Sequence, residues 1–493
     1  MVQFDTIGPM AGQLDLGQIS LIRTAGAPLC DQVYEAMERW IAGGVLAENS
    51  RLPTTRELAA ALGINRGTVQ AAYRRLQENG LVDGRVGSGT VVRARAESGT
   101  PFCLEDLVSR RVAGLREETG IVVTAPLVAD FSRLAPDERF FPLEEFTRTL
   151  SYAWSRRRDL WQYAPPLGLE ELRAEVSRRL AENRIARAAD EILIVSGAQQ
   201  GLDLLFRAFT DPEDVVAAES PTYSGALTLA RLAGVSVLPL PMDAQGPDPR
   251  PLLSRRVKLV YVMPERQNPT GVTTSQERRE ALLDAALSAG ALVIEDGYEE
   301  PEPGRLALAA CEPERVVWLG TLSKDLVPGF RIGWIAAARP IVERLARVKK
   351  ATDFQTPVPL QAAVAAFLRA GSDRKARASR AEEVALRATE AGQALRRHLP
   401  QVSWWGGEGS NPLFWLHLPD RISGRRVAEA AAARGVAVAP GQDFDPAGVD
   451  RPNVRLSVSR VERRDIEQGI ALVGEAVSEV QSRSGAAFAA PVV

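Results

Sequence analysis

Gly320-Thr321-Leu322-Ser323-Lys324-Asp325-Leu326-Val327-Pro328-Gly329-Phe330-Arg331-Ile332-Gly333 is the stretch on which the fold turns. It follows an apolar run, Val316 to Leu319, that has the character of a buried strand. Two hydroxyls and a guanidinium flank one lysine. Hydroxyl and arginine donors suit a phosphate dianion. A lysine amine forms Schiff bases once burial and neighbours lower its pKa. Lysine is also scarce: of 60 Lys and Arg residues, only Lys258, Lys324, Lys349, Lys350 and Lys375 are lysines. Lys349 and Lys350 adjoin in a helical segment and read as solvated surface, as does Lys375 in its basic stretch. Lys258 leads into a strand and reads as a flank. Only Lys324 has a constellation around it.

Working outward, strand-like runs alternate with helical stretches from Asp130 onward. They are Glu191 to Val195, Val215 to Ala218, Leu259 to Met263, Ala291 to Ile294, Val316 to Leu319 and Gly333 to Ala336. This alternation predicts an α/β domain with a mostly parallel sheet, whose ligands bind at the carboxyl ends of the strands. Ser196-Gly197-Ala198-Gln199-Gln200-Gly201 follows one strand and opens a helix, so its backbone N–H groups and the helix dipole favour an anion. Many α/β loops are glycine-rich, so this signal is weak alone. Tyr223 suits stacking on a planar ligand or ordinary loop packing. Asn268-Pro269-Thr270-Gly271 reads by itself as a turn. Asp296 ends a buried strand, where it serves either as a helix cap or as the partner of a protonated ring nitrogen.

The first hundred residues differ in kind. Pro28 to Trp40 has apolar residues at helical spacing. Thr54 and Glu57 form a capping-box pattern that opens a short helix ending at Gly63. Asn65 caps a second helix running to about Glu78. Leu81 to Val86 and Thr90 to Arg93 then read as a hairpin around Gly87-Ser88-Gly89. This is a helix-turn-helix with a wing. From Arg51 to Arg95 there are eight arginines against three acids, in a chain of net charge −2. A local basic surface of this kind suits nucleic acid or is simply a solvated face; the helix-turn-helix-wing order favours DNA. Arg66 and Thr68 lie in the first turn of the second helix, where base edges are read. Arg56 and Arg85 are placed for phosphate, with Gly89 in the wing.

Composition excludes other classes. The 493 residues suit two or three domains, and 45% hydrophobic with 25% charged residues is globular. His398 and His417, and Cys30, Cys103 and Cys311, form no close cluster, so neither a metal site nor a disulfide framework is expected. The N-terminus lacks a secretory pattern, and no apolar run reaches the ~20 residues of a spanning helix. A cytoplasmic protein is expected. Domain boundaries are expected at 26–95 for the winged helix, 96–129 for a linker and 130–480 for the α/β domain.

Two resemblances sharpen these expectations. The run RLPTTRELAAALGINRGTVQAAYRRLQENGLVDGRVGSGTVV at 51–92 resembles the winged helix of the GntR family, a likeness that covers about residues 26–94, with Thr55 where that family often has a serine-like residue. Residues 130–477 resemble the fold-type I aminotransferases, which depend on pyridoxal 5′-phosphate and have a smaller C-terminal subdomain. That likeness implies that Lys324 carries the cofactor as a Schiff base and Asp296 meets the pyridine nitrogen. It implies that Asn268 and Tyr298 bond the ring 3′-oxygen and Tyr223 stacks on the ring. Gly197, Ala198, Gln199, Thr321, Ser323 and Arg331 would surround the phosphate. Tyr163, in QYAPPLGLEELR, resembles the tyrosine that reaches a neighbouring subunit's phosphate, which implies a homodimer. Arg455, in NVRLSVS, matches the arginine that clamps a ligand carboxylate. Asn411-Pro412 stands where related chains often carry a glycine pair, so ligand specificity does not transfer.

Together the two halves resemble the MocR-type regulators. The resemblance implies a pyridoxal-phosphate-dependent transcription regulator that binds an operator in double-stranded DNA. It would sense an amine, an amino acid or the cofactor itself at Lys324. The alternative is an active aminotransferase carrying a DNA-binding domain.

Overall fold

The computed structural model describes residues 19, 21, 28–85, 89–93, 104–115, 121–302, 304–324, 326–420 and 422–488; the side chains of 85, 105, 106 and 484–488 lie outside that description. The chain divides into two compact units, Met1–Val108 and Ser109–Val493.

Among its described residues the first unit carries α1 (Leu29–Ala42), α2 (Thr55–Leu62), α3 (Arg66–Glu78) and a hairpin of β1 (Val82–Arg85) and β2 (Gly89–Val92), with a further short helix near its end. The capping box is present. Glu57 N donates to Thr54 Oγ1 at 3.2 Å and Thr54 N to Glu57 Oε2 at 2.8 Å. Gly63 closes α2 in the left-handed region at φ 60°, and Asn65 Oδ1 accepts from Gly67 N at 2.8 Å to start α3. Val33, Met37, Leu58, Val69 and Leu76 form the buried core. β1 and β2 pair antiparallel, Val82 opposite Val92. The turn residues 86–88 lie outside the described residues.

The second unit is built on an eight-stranded sheet. Its elements in chain order are β3 (Ala129–Asp130), β4 (Ile192–Val195), β5 (Val215–Ser220), β6 (Ser236–Asp243), β7 (Gly246–Pro247), β8 (Leu259–Val262), β9 (Leu292–Gly297), β10 (Val316–Thr321) and β11 (Gly333–Ala336). The spatial order is β4-β11-β10-β9-β8-β5-β6-β7, with only β11 and β7 antiparallel to their neighbours. Alternate side chains go to opposite faces. Ile192 and Ile194 join one buried cluster, Leu193 and Val195 another, so helices cover both sides. An antiparallel sheet of Ser403–Gly406, Leu413–His417, Asn453–Ser457 and Ala439–Pro440 forms the smaller subdomain, packed with the helices Ser372–His398 and Arg463–Phe488. β3 pairs parallel with Val436–Ala437. In chain order the short helix Leu104–Leu107 closes the first unit and Arg110–Ala113 opens the second, in which Val128 N donates to Gly435 O at 2.8 Å. Among the described residues no helix is long and apolar enough to cross a membrane.

Candidate functional site

The sheet brings the loops singled out in the sequence to one edge. Gly333, first residue of β11, pairs with Val195 on one side and Thr321 on the other. The loops after β4 and β10 therefore open side by side. The helix Ala198–Phe209 begins at Gly197, which has φ 84° and offers no side chain to cap the first-turn N–H groups. Those donors are left for an anion. A Cβ on Gly197 would stand 2.8 Å from Arg331 Nη2 and displace the guanidinium, and at φ 84° a side chain would be strained, so glycine suits the position. Arg331 Nη2 donates to Ser196 O at 3.2 Å. Thr321 Oγ1 accepts from Ser323 N at 3.1 Å, while the buried Ser323 Oγ has no partner among the described residues. Gln199 Nε2 donates to Gly225 O at 3.2 Å, and its buried Oε1 has no partner among the described residues.

Strand alternation decides the next feature. Asp296 shares a face of β9 with Ile294, the face that carries Tyr261 and Tyr298, and Glu295 faces the other way, capping Leu308 N and Ala309 N at 3.0 and 2.8 Å. Tyr261 Oη donates to Asp296 Oδ2 at 2.7 Å, and the Tyr298 N–H also bears on the carboxylate; the buried Oδ1 makes no hydrogen bond of good geometry among the described residues. Burial pushes the Asp296 carboxyl up to about 6, against the pull of the Tyr261 hydroxyl and the Lys324 charge. Lys324 follows β10. Its Nζ donates to Leu134 O, and burial together with the nearby Arg455 lowers it to about 8, opposed by Asp296 and Glu299. Arg455 is buried, donates to Asn268 Oδ1 at 3.0 Å and to Ser132 O, and lies 5.0 Å from the Phe444 ring centre. Burial brings it down to about 10, and its Nε has no partner among the described residues. Asn268, buried, spends its oxygen on Arg455 and keeps its amide N–H groups as donors. Tyr298 Oη donates to Arg266 O. Asn411 Nδ2 holds Gly271 O at 2.8 Å, tying the smaller sheet to the Asn268 turn. A cleft of about 600 Å³ is lined by Ser132, Tyr223, Asn268, Phe444 and Arg455, and a second of about 230 Å³ by Leu134, Tyr298 and Lys324. Tyr163 stands apart at 85% exposure, its ring 6.0 Å from that of Phe354.

The unsatisfied atoms are a chemical description of what fits. An unpartnered carboxylate oxygen matches a cationic ring N–H, an uncapped helix start and a free serine hydroxyl match a phosphate, and an amine of depressed pKa matches an aldehyde.

In the first unit Arg66 heads α3, is exposed, and donates from Nε to Thr55 Oγ1 at 3.3 Å. The threonine that departs from the usual serine thus still supplies the hydroxyl. Arg56 and Arg74 are exposed and Thr68 is half-buried. Gly89 is exposed at φ 89°; the Arg85 side chain lies outside the described residues. Arg75 is a different matter. It pairs with Asp31 and lies 4.8 Å from the Tyr34 ring centre, so it fastens α1 to α3.

Residues 107–472 match the family model for aminotransferase class I and II, and residues 29–92 match that for bacterial regulatory proteins of the gntR family. The chain is 30% identical over 461 residues to the HTH-type transcriptional regulator TauR of Rhodobacter capsulatus, covering 89% of this chain and 94% of that one. It is 31% identical over 371 residues to the probable rhizopine catabolism regulatory protein MocR of Rhizobium meliloti, covering 71% of this chain and 74% of the other. The chain belongs to the MocR subgroup of the gntR-family transcription regulators. In this regulator a helix-turn-helix domain is fused to an aminotransferase-like domain. The latter resembles the crystal structure of Pyrococcus horikoshii kynurenine aminotransferase in complex with PMP, KYN and KYA, at 29% identity and a TM-score of 0.71, over 76% of this chain and 98% of that one.

Sequence reasoning missed three residues that bond the site's side chains, Tyr261, Ser132 and Leu134, and misplaced a fourth, Lys349, that lies outside it. Tyr261 was legible only as strand filling, although a hydroxyl in a fully buried strand signals a polar partner. The carbonyls of Ser132 and Leu134 carry no sequence signal. Lys349, expected at the surface, is wholly buried. The reason is that its helix, Arg339–Thr352, turns this residue inward onto Asp353 and Gln200.

Proposed function

We propose that the regulator binds pyridoxal 5′-phosphate at Lys324 and adjusts its hold on DNA according to an amine, an amino acid or the cofactor itself. The observation that carries this reading is the convergence of Lys324, the unpartnered Asp296 Oδ1 and the uncapped helix start at Gly197 on one sheet edge. When bound, the cofactor supplies an electrophilic carbon that exchanges one amine for another. The chain's residues do the rest. Gly197, Ala198, Gln199, Thr321, Ser323 and Arg331 hold the phosphate. Asp296 keeps the ring nitrogen protonated, with Tyr261 fixing the carboxylate. Tyr223 covers the ring, and Asn268 and Tyr298 face its oxygen. Arg455 meets a ligand carboxylate by exchanging it for Asn268 or Ser132. The exposed Tyr163 reaches the phosphate of a second copy, so the working unit is a homodimer offering two winged helices to two half-sites. In each, Arg66 and Thr68 read bases, and Arg56, Arg85 and the Gly89 turn meet the backbone. The effector acts by binding one arrangement of the protein more tightly than another.

The test titrates the full chain with pyridoxal 5′-phosphate and then with amino acids and amines, following absorbance. Affinity for an operator selected from a random duplex pool is measured in parallel. A compound that shifts the spectrum is expected to shift DNA affinity; a spectral change with no change in DNA affinity would overturn the sensing role. Rapid multiple turnover to a keto acid would favour an enzyme instead. Arg66→Ala is expected to weaken operator binding by about tenfold to a hundredfold, the loss of one base-reading side chain. Unchanged affinity would remove α3 as the reader.

A further inference from the structure

Lys349 is a buried amine that the proposed chemistry does not use. A buried ammonium is costly unless its partners are fixed, and here they are. Nζ donates to Asp353 Oδ1 at 2.9 Å, Asp353 Oδ2 at 3.0 Å and Gln200 Oε1 at 3.0 Å. Gln200 Nε2 donates to Asp353 Oδ2 at 2.6 Å, which closes a triangle of three side chains.

One corner of the triangle touches the anion cradle. Gln200 Oε1 also accepts from Ser196 N at 2.7 Å. Ser196 O is held from the other side by Arg331, and its hydroxyl lies 3.3 Å from Thr356 Oγ1. The residue before Gly197 is therefore gripped at its N–H, its carbonyl and its side chain. A glutamine amide has two ends of similar shape, and a flip would set Nε2 against the Ser196 N–H, donor against donor. Lys349 and Asp353 forbid the flip. The ammonium has only donors and demands the oxygen; the carboxylate has only acceptors and demands the N–H₂.

We infer that Lys349 and Asp353 are positioning residues for the phosphate cradle, acting through the orientation of the Gln200 amide on the Ser196 N–H. The inference rests on the proposal that this cradle takes the cofactor's phosphate. It assigns the triangle a selective effect: it supports binding of the phosphate and not of the rest of the cofactor.

The test compares pyridoxal 5′-phosphate with pyridoxal, which lacks the phosphate, by absorbance titration of the full-length apo protein. Lys349→Met and Gln200→Met are each expected to weaken pyridoxal 5′-phosphate about tenfold, the worth of a lost hydrogen bond that holds the cradle, and to leave pyridoxal within about twofold. Equal weakening of both compounds would show a merely structural role and overturn the inference, as would no weakening of either. Gln200→Met creates no unpaired buried ammonium at its own position and tests the same contact if Lys349→Met does not fold. The wild-type arm separates the two layers. Wild-type protein that binds both compounds equally, or neither, overturns the phosphate-site proposal itself and this inference with it.

Discussion

The Lys324→Ala chain is expected to show none of the long-wavelength absorption that pyridoxal 5′-phosphate gives when held by a lysine. The other four lysines do not substitute. Lys349 is locked in its triangle, Lys258 pairs at 3.7 Å with Asp214, and neither Lys350 nor Lys375 lines the Lys324 cleft. Arginine cannot stand in, because its guanidinium stays protonated. In the wild-type protein the rate of capture should carry the signature of the amine's environment. Burial and Arg455 bring Lys324 to about 8. Only the neutral amine attacks, so capture is expected to rise about tenfold per pH unit up to pH 8 and level off above it. A surface lysine near its usual value of about 10.4 would keep rising to pH 10. Stopped-flow absorbance between pH 6 and 10 measures this. A band that persists in Lys324→Ala, or a rate still climbing past pH 9, would sink the assignment.

Asp296→Asn is expected to move affinity and stability in opposite directions. The substitution leaves an oxygen for the Tyr261 hydroxyl but removes the charge that Oδ1 offers to a cationic ring nitrogen. Loss of one partner from a buried charged pair costs about 3 kcal/mol or more, so pyridoxal 5′-phosphate should bind on the order of a hundredfold more weakly. The apo fold behaves the other way. Burial raises the Asp296 carboxyl from 3.8 to about 6. Its pKa is thus higher in the folded than in the unfolded chain, so the apo fold loses stability as pH rises through the window from about 4 to 6. At pH 7 the loss is on the order of 2–3 kcal/mol. Asparagine carries no such charge. Apo Asp296→Asn should therefore unfold at higher urea than apo wild type at pH 7, with the difference gone below pH 4. A variant that binds the cofactor as wild type does, or gains nothing at pH 7, would refute the role of that oxygen.

Much of this was legible in local pattern. The capping box at Thr54 and Glu57, the Asn65 cap and the hydrophobic spacing of α3 are short-range features, and each appears where the spacing puts it. The strands β4, β5, β8, β9, β10 and β11 were visible as apolar runs, with ends shifted by at most three residues. Lys324 stood out because lysine is rare and its neighbours are hydroxyls and arginine. Some charges misled. Arg75 counted toward a basic face but is spent on Asp31, because the α1–α3 packing brings together two residues 44 apart.

The sequence by itself determined the elements and their order, since helix and strand periodicity, caps and turns are set within a few residues. It also singled out one lysine and one carboxylate at strand ends. Only the tertiary structure decided what those groups meet. β9 and β8 are adjacent through a parallel register that no local pattern encodes, and it sets Tyr261 against Asp296, 35 residues away. Likewise the insertion of β11 between β4 and β10 lines up Gly197 with Ser323, and the inward turn of one helix buries Lys349 behind them. Hydrogen bonds and desolvation depend on partners across the sheet, so the proton affinities of Lys324 and Asp296 belong to the fold and not to the residue types.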